Sequence, residues 1–268
     1  MRIGEVRVGE GAPLALVSGL NVLESLEAAL ACAQGLCALA ARHGVGLVFK
    51  ASFDKANRSS AGSYRGPGLD PGLRMLERVK RETGLPILTD VHEPAQVRPA
   101  AEVADCLQIP AFLARQTDLV AACAASGRAL NLKKAQFMAP EDVELALAKA
   151  RHFGARDLLV SERGTCFGYR DLVVDLRSLV RLRRLAPVCF DATHSVQRPG
   201  AGAGASSGDR SLVAPLARAA VALGIDALFV EVHPDPDRAP CDPQCQIRLE
   251  ELDALLAQVR AIDAALRG

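Results

Sequence analysis

The sequence predicts an α/β protein whose fold is a (β/α)8 (TIM) barrel with a short N-terminal β-hairpin closing the barrel bottom. Eight short apolar runs, rich in β-branched residues, alternate with eight longer segments of helical period. The chain has 268 residues, a common length for a single barrel domain. No glycine-rich turn follows the first run, so an open doubly wound sheet is the weaker alternative.

The predicted strands are short, and polar residues begin where each one ends. They cover residues 14–18, 46–51, 86–90, 106–109, 129–133, 158–161, 188–191 and 227–231. The helical patterns cover residues 24–42, 72–82, 94–101, 117–126, 140–152, 171–185, 212–223 and 248–266. Residues 3–8 alternate apolar and polar side chains before a glycine-rich turn, which predicts the hairpin. Because the chain shows no repeat or linker, residues 1–268 are expected to form one domain.

Composition excludes several classes of partner. The net charge is +1, so no overall field attracts nucleic acid or a membrane surface. No stretch approaches twenty uninterrupted apolar residues, and the N-terminus lacks a signal-peptide pattern, so we expect a cytoplasmic protein. The eight cysteines are expected to be free, mostly buried thiols, although Cys32 with Cys37 and Cys241 with Cys245 have the spacing nearest to a metal or redox motif.

The most informative stretch is KASFDKANRSS at residues 50–60, where the second predicted strand ends. It places Lys50, Lys55 and Arg58 beside the donors Asn57 and Ser59. Chemistry in barrels lies at the carboxyl ends of the strands. Three cations with amide and hydroxyl donors suit a doubly charged phosphate, or two anionic groups held close together. The simpler alternative is a solvated basic loop.

The other predicted strand ends carry polar residues of similar type. They contribute Asn21, Asp90, Gln108, Arg115, Lys133, Lys134, Gln136, Arg163, Asp191, His194, Glu231 and Asp242. Seven cations would then converge on one rim, namely Lys50, Lys55, Arg58, Arg115, Lys133, Lys134 and Arg163. Because gathering like charges is costly without anionic ligands, multiply charged substrates are implied. Lys134 is offset by one residue from Lys133, so a strand would point it to the opposite face.

Some of these side chains have competing interpretations. His194, Glu231 and Asp242 have the ligand types of a divalent metal site, although they are dispersed in the sequence. His92 lies in a turn where helix capping is at least as plausible as catalysis. The loop at 192–210 contains PGAGAGASSGDR, which is either a lid over the site or a surface insertion.

Several long motifs closely resemble those of the 3-deoxy-D-manno-octulosonate 8-phosphate synthases, also named 2-dehydro-3-deoxyphosphooctonate aldolases. They are NVLES at 21–25, FKASFDKANRSS at 49–60, SYRGPGL at 63–69, TDVHEP at 89–94, QIPAFLARQTDLV at 108–120, NLKKAQF at 131–137, ERGTCFGY at 162–169, FDATH at 190–194 and EVHPDPDRAPCD at 231–242. The resemblance implies a homotetrameric barrel enzyme. Such an enzyme condenses phosphoenolpyruvate with D-arabinose 5-phosphate and water in lipopolysaccharide inner-core sugar biosynthesis, and it releases inorganic phosphate.

The resemblance also implies a role for each site residue. Phosphoenolpyruvate would be bound by Lys133, Arg163 and the backbone at Ala111 on its phosphate, and by Lys50, Lys55 and Gln136 on its carboxylate, with Gln108 alongside. Arabinose 5-phosphate would be bound by Asn57, Arg58, Ser59, Asp90 and His194, with Arg115 reaching in from a neighbouring subunit. Asn21, Glu231 and Asp242 would complete the site. Lys55 would donate a proton to the aldehyde oxygen, a role that favours a lowered pKa.

One position separates the members of this family that need a metal from those that do not. Metal-dependent members place a cysteine where Asn21 stands. His194, Glu231 and Asp242 match the other three ligand positions, but without the thiolate a soft, high-affinity site is lost. The resemblance therefore implies a metal-independent enzyme without a cofactor, in which Asn21 hydrogen-bonds near the substrate carbons.

The chain departs from the family pattern at three places. Ala135 replaces a proline, which loosens the backbone before Gln136. Asp209 replaces a glycine of the predicted lid. The segment CDPQCQ at 241–246 lacks the usual glycine, proline and serine after Asp242, and its Pro243 restricts the Asp242 backbone.

Three other functions remain as alternatives. A related synthase uses erythrose 4-phosphate, and the KANRSS stretch argues against it. An aldolase could form a Schiff base through Lys55 or Lys133. A non-catalytic sensor could bind a sugar phosphate with the same cations.

Overall fold

A computed structural model describes residues 1–166, 171–199 and 207–267, and a closed barrel of eight parallel strands lies at its centre. The strands are β1 (Ala15–Gly19), β2 (Gly46–Lys50), β3 (Ile87–Asp90), β4 (Cys106–Ile109), β5 (Ala129–Lys133), β6 (Leu158–Glu162), β7 (Val188–Asp191) and β8 (Ala227–Glu231). Each strand pairs with the next one in the chain, and β8 pairs with β1. The predicted (β/α)8 barrel is confirmed.

Helices follow the strands and surround the barrel. In the described ranges they are α1 (Leu26–His43), α2 (Leu69–Thr83), α3 (Pro94–Val103), α4 (Thr117–Ala125), α5 (Asp142–His152), α6 (Leu176–Leu182), α7 (Val213–Ala222) and α8 (Leu249–Arg267). Side-chain chemistry sets the ends of α1: the Ser25 hydroxyl accepts the amide of Ala28 at 3.1 Å, and Gly44 terminates the helix at a φ of 60°. Over these same ranges, no helix has the length and apolarity to cross a membrane.

Two apolar layers stabilise this arrangement. The larger one lies between the barrel and its helices, and the smaller one fills the barrel interior at the amino ends of the strands. The predicted hairpin forms, with Arg2–Ile3 antiparallel to Val6–Arg7. Ile3 and Val8 are buried against the smaller layer. Because the hairpin and this layer close the barrel bottom, a ligand can enter the barrel only at the carboxyl ends of the strands.

Two predicted segments differ from the structure. The helix predicted over 171–185 is wrong in its first part, because Leu172–Val173 pairs with Thr165–Cys166 as a short antiparallel ladder. The helix begins after Asp175, whose carboxylate accepts the amide of Arg177. Within the loop predicted over 192–210, Gln197–Arg198 pairs with Ser207–Gly208 as a second ladder, and residues 200–206, which hold most of the small-residue run, lie outside the described residues.

Replacing Gly19 by alanine is expected to destabilise the barrel, because β1 and β2 approach too closely there for a side chain. A Cβ atom on Gly19 would lie 2.0 Å from the carbonyl oxygen of Lys50. Moving the strands apart should lower the unfolding free energy by about 3 kcal/mol or more, measured by urea or thermal unfolding. Gly62→Ala is the matched control, because its added Cβ meets nothing within 4 Å. Equal stability of the two variants would contradict the close approach.

Candidate active site

A cavity of about 490 Å³ opens at the carboxyl ends of the barrel strands. Twelve of the residues predicted from the sequence line it: Lys55, Asn57, Arg58, Ser59, Asp90, Gln108, Ala111, Lys133, Gln136, Arg163, His194 and Asp242. They come from the ends of seven strands or from the loops that follow them. The cavity walls also include Phe112, Gln197 and Cys241, which the sequence assigned no role in the site. The sequence offers one signal for them, which is their position: Phe112 follows Ala111, Cys241 precedes Asp242, and Gln197 lies near His194.

The floor of the cavity is a buried network around Glu231. One Glu231 carboxylate oxygen accepts the Lys50 ammonium at 2.6 Å, and the other accepts the Asn21 amide nitrogen at 2.5 Å. The Asn21 carbonyl also accepts from Lys50 at 3.2 Å. Burial alone would raise the pKa of Glu231, but the charges of Lys50 and His194 outweigh it and lower the pKa to about 2. Glu231 therefore stays ionised and holds Lys50 beneath the cavity.

A second buried carboxylate, Asp191 at the end of β7, holds two residues of the cavity wall. Its Oδ2 atom lies 2.5 Å from the Lys133 ammonium and 2.8 Å from His194 Nδ1. Burial would raise the pKa of Asp191, but His194 and Lys133 together lower it well below its ordinary value. The Lys133 ammonium also lies 4.7 Å from the ring centre of Phe229. The sequence placed Asp191 at a strand end without a role, and the structure makes it an orienting residue.

Lys55 lies at the start of a chain of polar contacts along another wall. Its ammonium donates to the Ser52 hydroxyl at 3.0 Å, and that hydroxyl donates to Asp90. The other Asp90 oxygen lies 3.0 Å from His92 Nε2. Burial lowers the pKa of Lys55, but the charges of Glu231 and Asp90 outweigh it and raise the pKa above its ordinary value. The expectation of a lowered pKa is therefore wrong, because nearby carboxylates stabilise the ammonium.

Two arginines of the cavity belong to segments that follow opposite strands of the barrel. Arg163 directly follows β6, and Arg58 belongs to the loop after β2. In a ring of eight strands, β2 and β6 are four strands apart and therefore face each other. Arg163 donates to the His194 carbonyl at 2.9 Å and to the Gln197 side chain at 2.6 Å. Arg58 donates to the Pro240 carbonyl at 3.2 Å. The two side chains thus enter the cavity from opposite strands, Arg163 beside the segment after β7 and Arg58 beside the segment after β8.

The structure places the seven cations that were predicted to converge on one rim in different positions. Lys55, Arg58, Lys133 and Arg163 line the cavity, and Lys50 lies beneath it. The predicted opposite orientation of Lys134 is confirmed, since its ammonium lies 3.5 Å from buried Glu162, away from the cavity. Arg115 is exposed and lies outside the cavity lining. The expectation of a common rim is therefore wrong for Lys134 and Arg115, because sequence order alone does not place a side chain within a loop.

The comparison with protein families agrees with this geometry. The model of the DAHP synthetase I family matches residues 2–267. The chain belongs to the DAHP synthetase I family.

Three relatives of this DAHP synthetase I member carry the name 2-dehydro-3-deoxyphosphooctonate aldolase. The protein from Syntrophotalea carbinolica is 52% identical and covers 100% of this chain and 97% of its own length. The one from Magnetococcus marinus is 53% identical, covering 97% and 91% of the two chains. The one from Synechococcus sp. is 55% identical, covering 97% and 92%. The similarity therefore extends over nearly the whole of each chain rather than over one motif-rich segment.

In this member of the DAHP synthetase I family, side chains of the types that bind metals do come together, but the side-chain amide of Asn21 lies between Glu231 and Asp242. The Asn21 amide nitrogen donates to Glu231 at 2.5 Å and to Asp242 at 3.2 Å. His194 Nε2 lies 3.6 Å from a Glu231 oxygen. Within the described residues, no group of three or more His, Cys, Asp or Glu side chains has a geometry that could hold a metal ion. Instead, the side-chain NH2 group of Asn21 bridges the carboxylates of Glu231 and Asp242.

Asp242 has an unusual backbone conformation in this DAHP synthetase I chain. Its φ is 46°, in the left-handed region, although it is not a glycine and Pro243 follows it. The Asp242 carbonyl accepts the amide of Cys245 at 3.0 Å, which closes a tight turn. The sequence predicts that Pro243 restricts the Asp242 backbone. Asp242 adopts a strained conformation at this position, and it lines the cavity.

Substitution of Glu231 should reveal a stabilising interaction that depends on pH. Because the pKa of Glu231 is lowered from 4.5, its contribution is complete above pH 4.5 and is lost as the pH falls toward 2. We expect Glu231→Gln to lower the unfolding free energy at neutral pH by about 3–5 kcal/mol, because Lys50 loses its carboxylate partner. The difference from the unsubstituted protein should shrink as the pH falls from about 4.5 toward 2, and urea unfolding would measure it.

The control for this measurement is Glu77→Gln on the exposed side of α2, which should change stability little at any of these pH values. A Glu231→Gln variant whose loss of stability is the same at every pH would show that Glu231 does not stabilise the floor through its charge.

Proposed function

We propose that this chain condenses phosphoenolpyruvate with D-arabinose 5-phosphate and water to give 3-deoxy-D-manno-octulosonate 8-phosphate and inorganic phosphate. The observation that carries the proposal is a single cavity lined by two separate sources of cations, Lys133 and Arg163 from the ends of β5 and β6, and Arg58 from the loop after β2. Two phosphorylated substrates placed end to end would satisfy both groups of cations. The printed name of the full-length relatives supports the same reaction.

In this proposal phosphoenolpyruvate occupies the side nearest β5 and β6. Its phosphate would contact Lys133, Arg163 and the amide of Ala111, and its carboxylate would contact Lys55 and Gln136. The side-chain carbonyl oxygen of Gln136 is buried without a hydrogen-bond partner, which supports a role for this side chain in binding a ligand. Gln108 lines the same region, and Lys50 adds positive charge from beneath.

Arabinose 5-phosphate would occupy the side nearest β2 and β3. Its phosphate would contact Arg58 and Ser59, and its hydroxyl and aldehyde groups would contact Asn57, Asp90 and His194. We further propose a homotetramer in which Arg115 of one subunit reaches the sugar phosphate of its neighbour. The exposure of Arg115, outside its own cavity, supports such a role. Residues 1–268 would then act as one catalytic domain in each subunit.

The proposed chemistry forms a C–C bond and a C–O bond to water, and it breaks the C–O bond that joins carbon 2 to the phosphate. Carbon 3 of phosphoenolpyruvate attacks the aldehyde carbon of the open-chain sugar, and carbon 2 becomes positively charged. Water adds at carbon 2, and the resulting hemiketal phosphate expels inorganic phosphate by cleavage of its C–O bond. Meanwhile the aldehyde oxygen gains a proton. The Lys55 ammonium is charged and donates a hydrogen bond where negative charge develops on that oxygen.

We propose that the enzyme works without a metal ion. The support is the Asn21 amide, which bridges Glu231 and Asp242 and so uses the carboxylate oxygens that a cation would need. In this arrangement Asn21 and Asp242 position the water and substrate carbons above the floor. A cytoplasmic location is also proposed, supported by six buried cysteines that form no disulfide within the described residues: Cys32, Cys106, Cys123, Cys189, Cys241 and Cys245.

The reaction can be tested by measuring phosphate release from phosphoenolpyruvate. We expect release only when arabinose 5-phosphate is also present, because the sugar aldehyde is the electrophile. Erythrose 4-phosphate should support at most a small fraction of that rate, and phosphoenolpyruvate alone should give none. Release without any sugar phosphate, or faster release with erythrose 4-phosphate, would reject the proposal.

The Lys55→Met variant tests whether the rate of phosphate release depends on this cavity. It removes the ammonium but keeps a side chain of similar length, so the protein should fold normally and lose its turnover. Far-ultraviolet circular dichroism would verify folding. A nearly unchanged rate would remove Lys55 from the mechanism, and a borohydride-trapped adduct would support the Schiff-base alternative.

Chelation tests the role proposed for Asn21. Incubation with a strong chelator should leave the phosphate-release rate unchanged, because no step requires a metal. Asn21→Cys introduces a thiolate ligand beside His194, Glu231 and Asp242, and this variant should bind a divalent metal more tightly than the unsubstituted protein. Loss of the unsubstituted enzyme's activity on chelation, with recovery on adding a divalent metal, would reverse the assignment.

A further inference from the structure

The guanidinium of Arg58 is held by the chain segment after β8. Its Nη2 donates to the Pro240 carbonyl at 3.2 Å, and its Nη1 contacts the Cys241 sulfur. Among the described residues, no carboxylate lies within ion-pair distance of Arg58. Its Nε is buried and has no hydrogen-bond partner. Arg58 is thus held in place by neutral acceptors, so its charge is not neutralised by a carboxylate within the described residues.

Cys241 is itself firmly placed. It is 3% exposed and lines the cavity, and its carbonyl accepts the side chain of buried Gln246 at 2.7 Å. Burial and the charge of Asp242 raise the pKa of the Cys241 thiol to about 12, so the sulfur is neutral. A neutral acceptor orients a guanidinium without neutralising it. A carboxylate in the same place would pair with Arg58 and compete with a phosphate.

We infer that Cys241, together with the Pro240 carbonyl, is a positioning residue that fixes Arg58 and thereby sets the length of the sugar-phosphate site. This inference rests on the proposed function, in which Arg58 binds the phosphate of the sugar. The distance from Arg58 to the opposite cations determines where the aldehyde lies relative to phosphoenolpyruvate. A four-carbon sugar phosphate is shorter by one C–C bond, about 1.5 Å, which is enough to misplace the reacting carbon. Cys241 therefore contributes to selection of the five-carbon substrate.

Cys241→Ala tests this inference by removing the acceptor while leaving Arg58 intact. We expect the KM for arabinose 5-phosphate to rise about tenfold, as for loss of one hydrogen bond to a charged group. The KM for phosphoenolpyruvate should change less than about twofold, since Lys133 and Arg163 are untouched. The preference for arabinose 5-phosphate over erythrose 4-phosphate should fall. Cys241→Ser, which keeps a neutral acceptor, should restore most of the lost affinity.

The matched control is Cys32→Ala, which removes another buried thiol, in α1 and outside the cavity lining. It should leave both KM values and the sugar preference unchanged. The inference is overturned if Cys241→Ala leaves the KM for arabinose 5-phosphate unchanged. It is also overturned if Cys241→Ala weakens both substrates equally while lowering the Tm, because that pattern indicates a merely structural role. If the unsubstituted protein releases no phosphate with arabinose 5-phosphate, the proposed function itself fails, and that result is visible before any variant is made.

Discussion

The active site depends on two buried carboxylates that hold lysines at the carboxyl ends of the barrel strands. Glu231 holds Lys50, and Asp191 holds Lys133, with ammonium-to-oxygen distances of 2.6 and 2.5 Å. Neither carboxylate has measurable exposure. An unpaired charge at such depth would cost several kcal/mol, so each buried carboxylate depends on the lysine beside it. These ion pairs let a closed, apolar barrel present positive charge to a ligand.

The barrel determines at which end of the strands this positive charge lies. The hairpin and the smaller apolar layer fill the amino ends of the strands, so the polar network can extend only toward the opposite end. Phe229 marks the boundary between the two regions, because both Lys50 and Lys133 lie over its ring, at 5.5 and 4.7 Å. The two lysines are thus held from below by an aromatic ring and from the side by carboxylates. Such a pre-organised arrangement needs little rearrangement when anions bind.

Much of this could be predicted from the sequence, because the signals are local. Apolar runs of four to five residues locate the strands, and alternation along β5 explains why Lys133 faces the cavity while Lys134 faces Glu162. The polar residues at the strand ends then identify most of the cavity lining, since the ends of parallel strands in a closed barrel must converge.

The features that could not be predicted depend on contacts between distant residues. The pKa of Lys55 is raised by Glu231, which lies 176 positions later in the chain, so no local pattern reveals it. The contact of Cys241 with Arg58 joins residues 183 positions apart. The late start of α6 has a different cause. Leu172 and Val173 also fit a helical period, but their pairing with Thr165 and Cys166 favours a strand.

The most direct measurement of the central claim is a crystal structure with phosphoenolpyruvate and arabinitol 5-phosphate, an alcohol that lacks the aldehyde and cannot react. The account predicts both molecules in one cavity. The phosphate of phosphoenolpyruvate should contact Lys133 and Arg163, and the phosphate of the sugar alcohol should contact Arg58. The Lys55 ammonium should lie between the two molecules. Two phosphates bound to the same group of cations, or either ligand bound outside this cavity, would contradict the account.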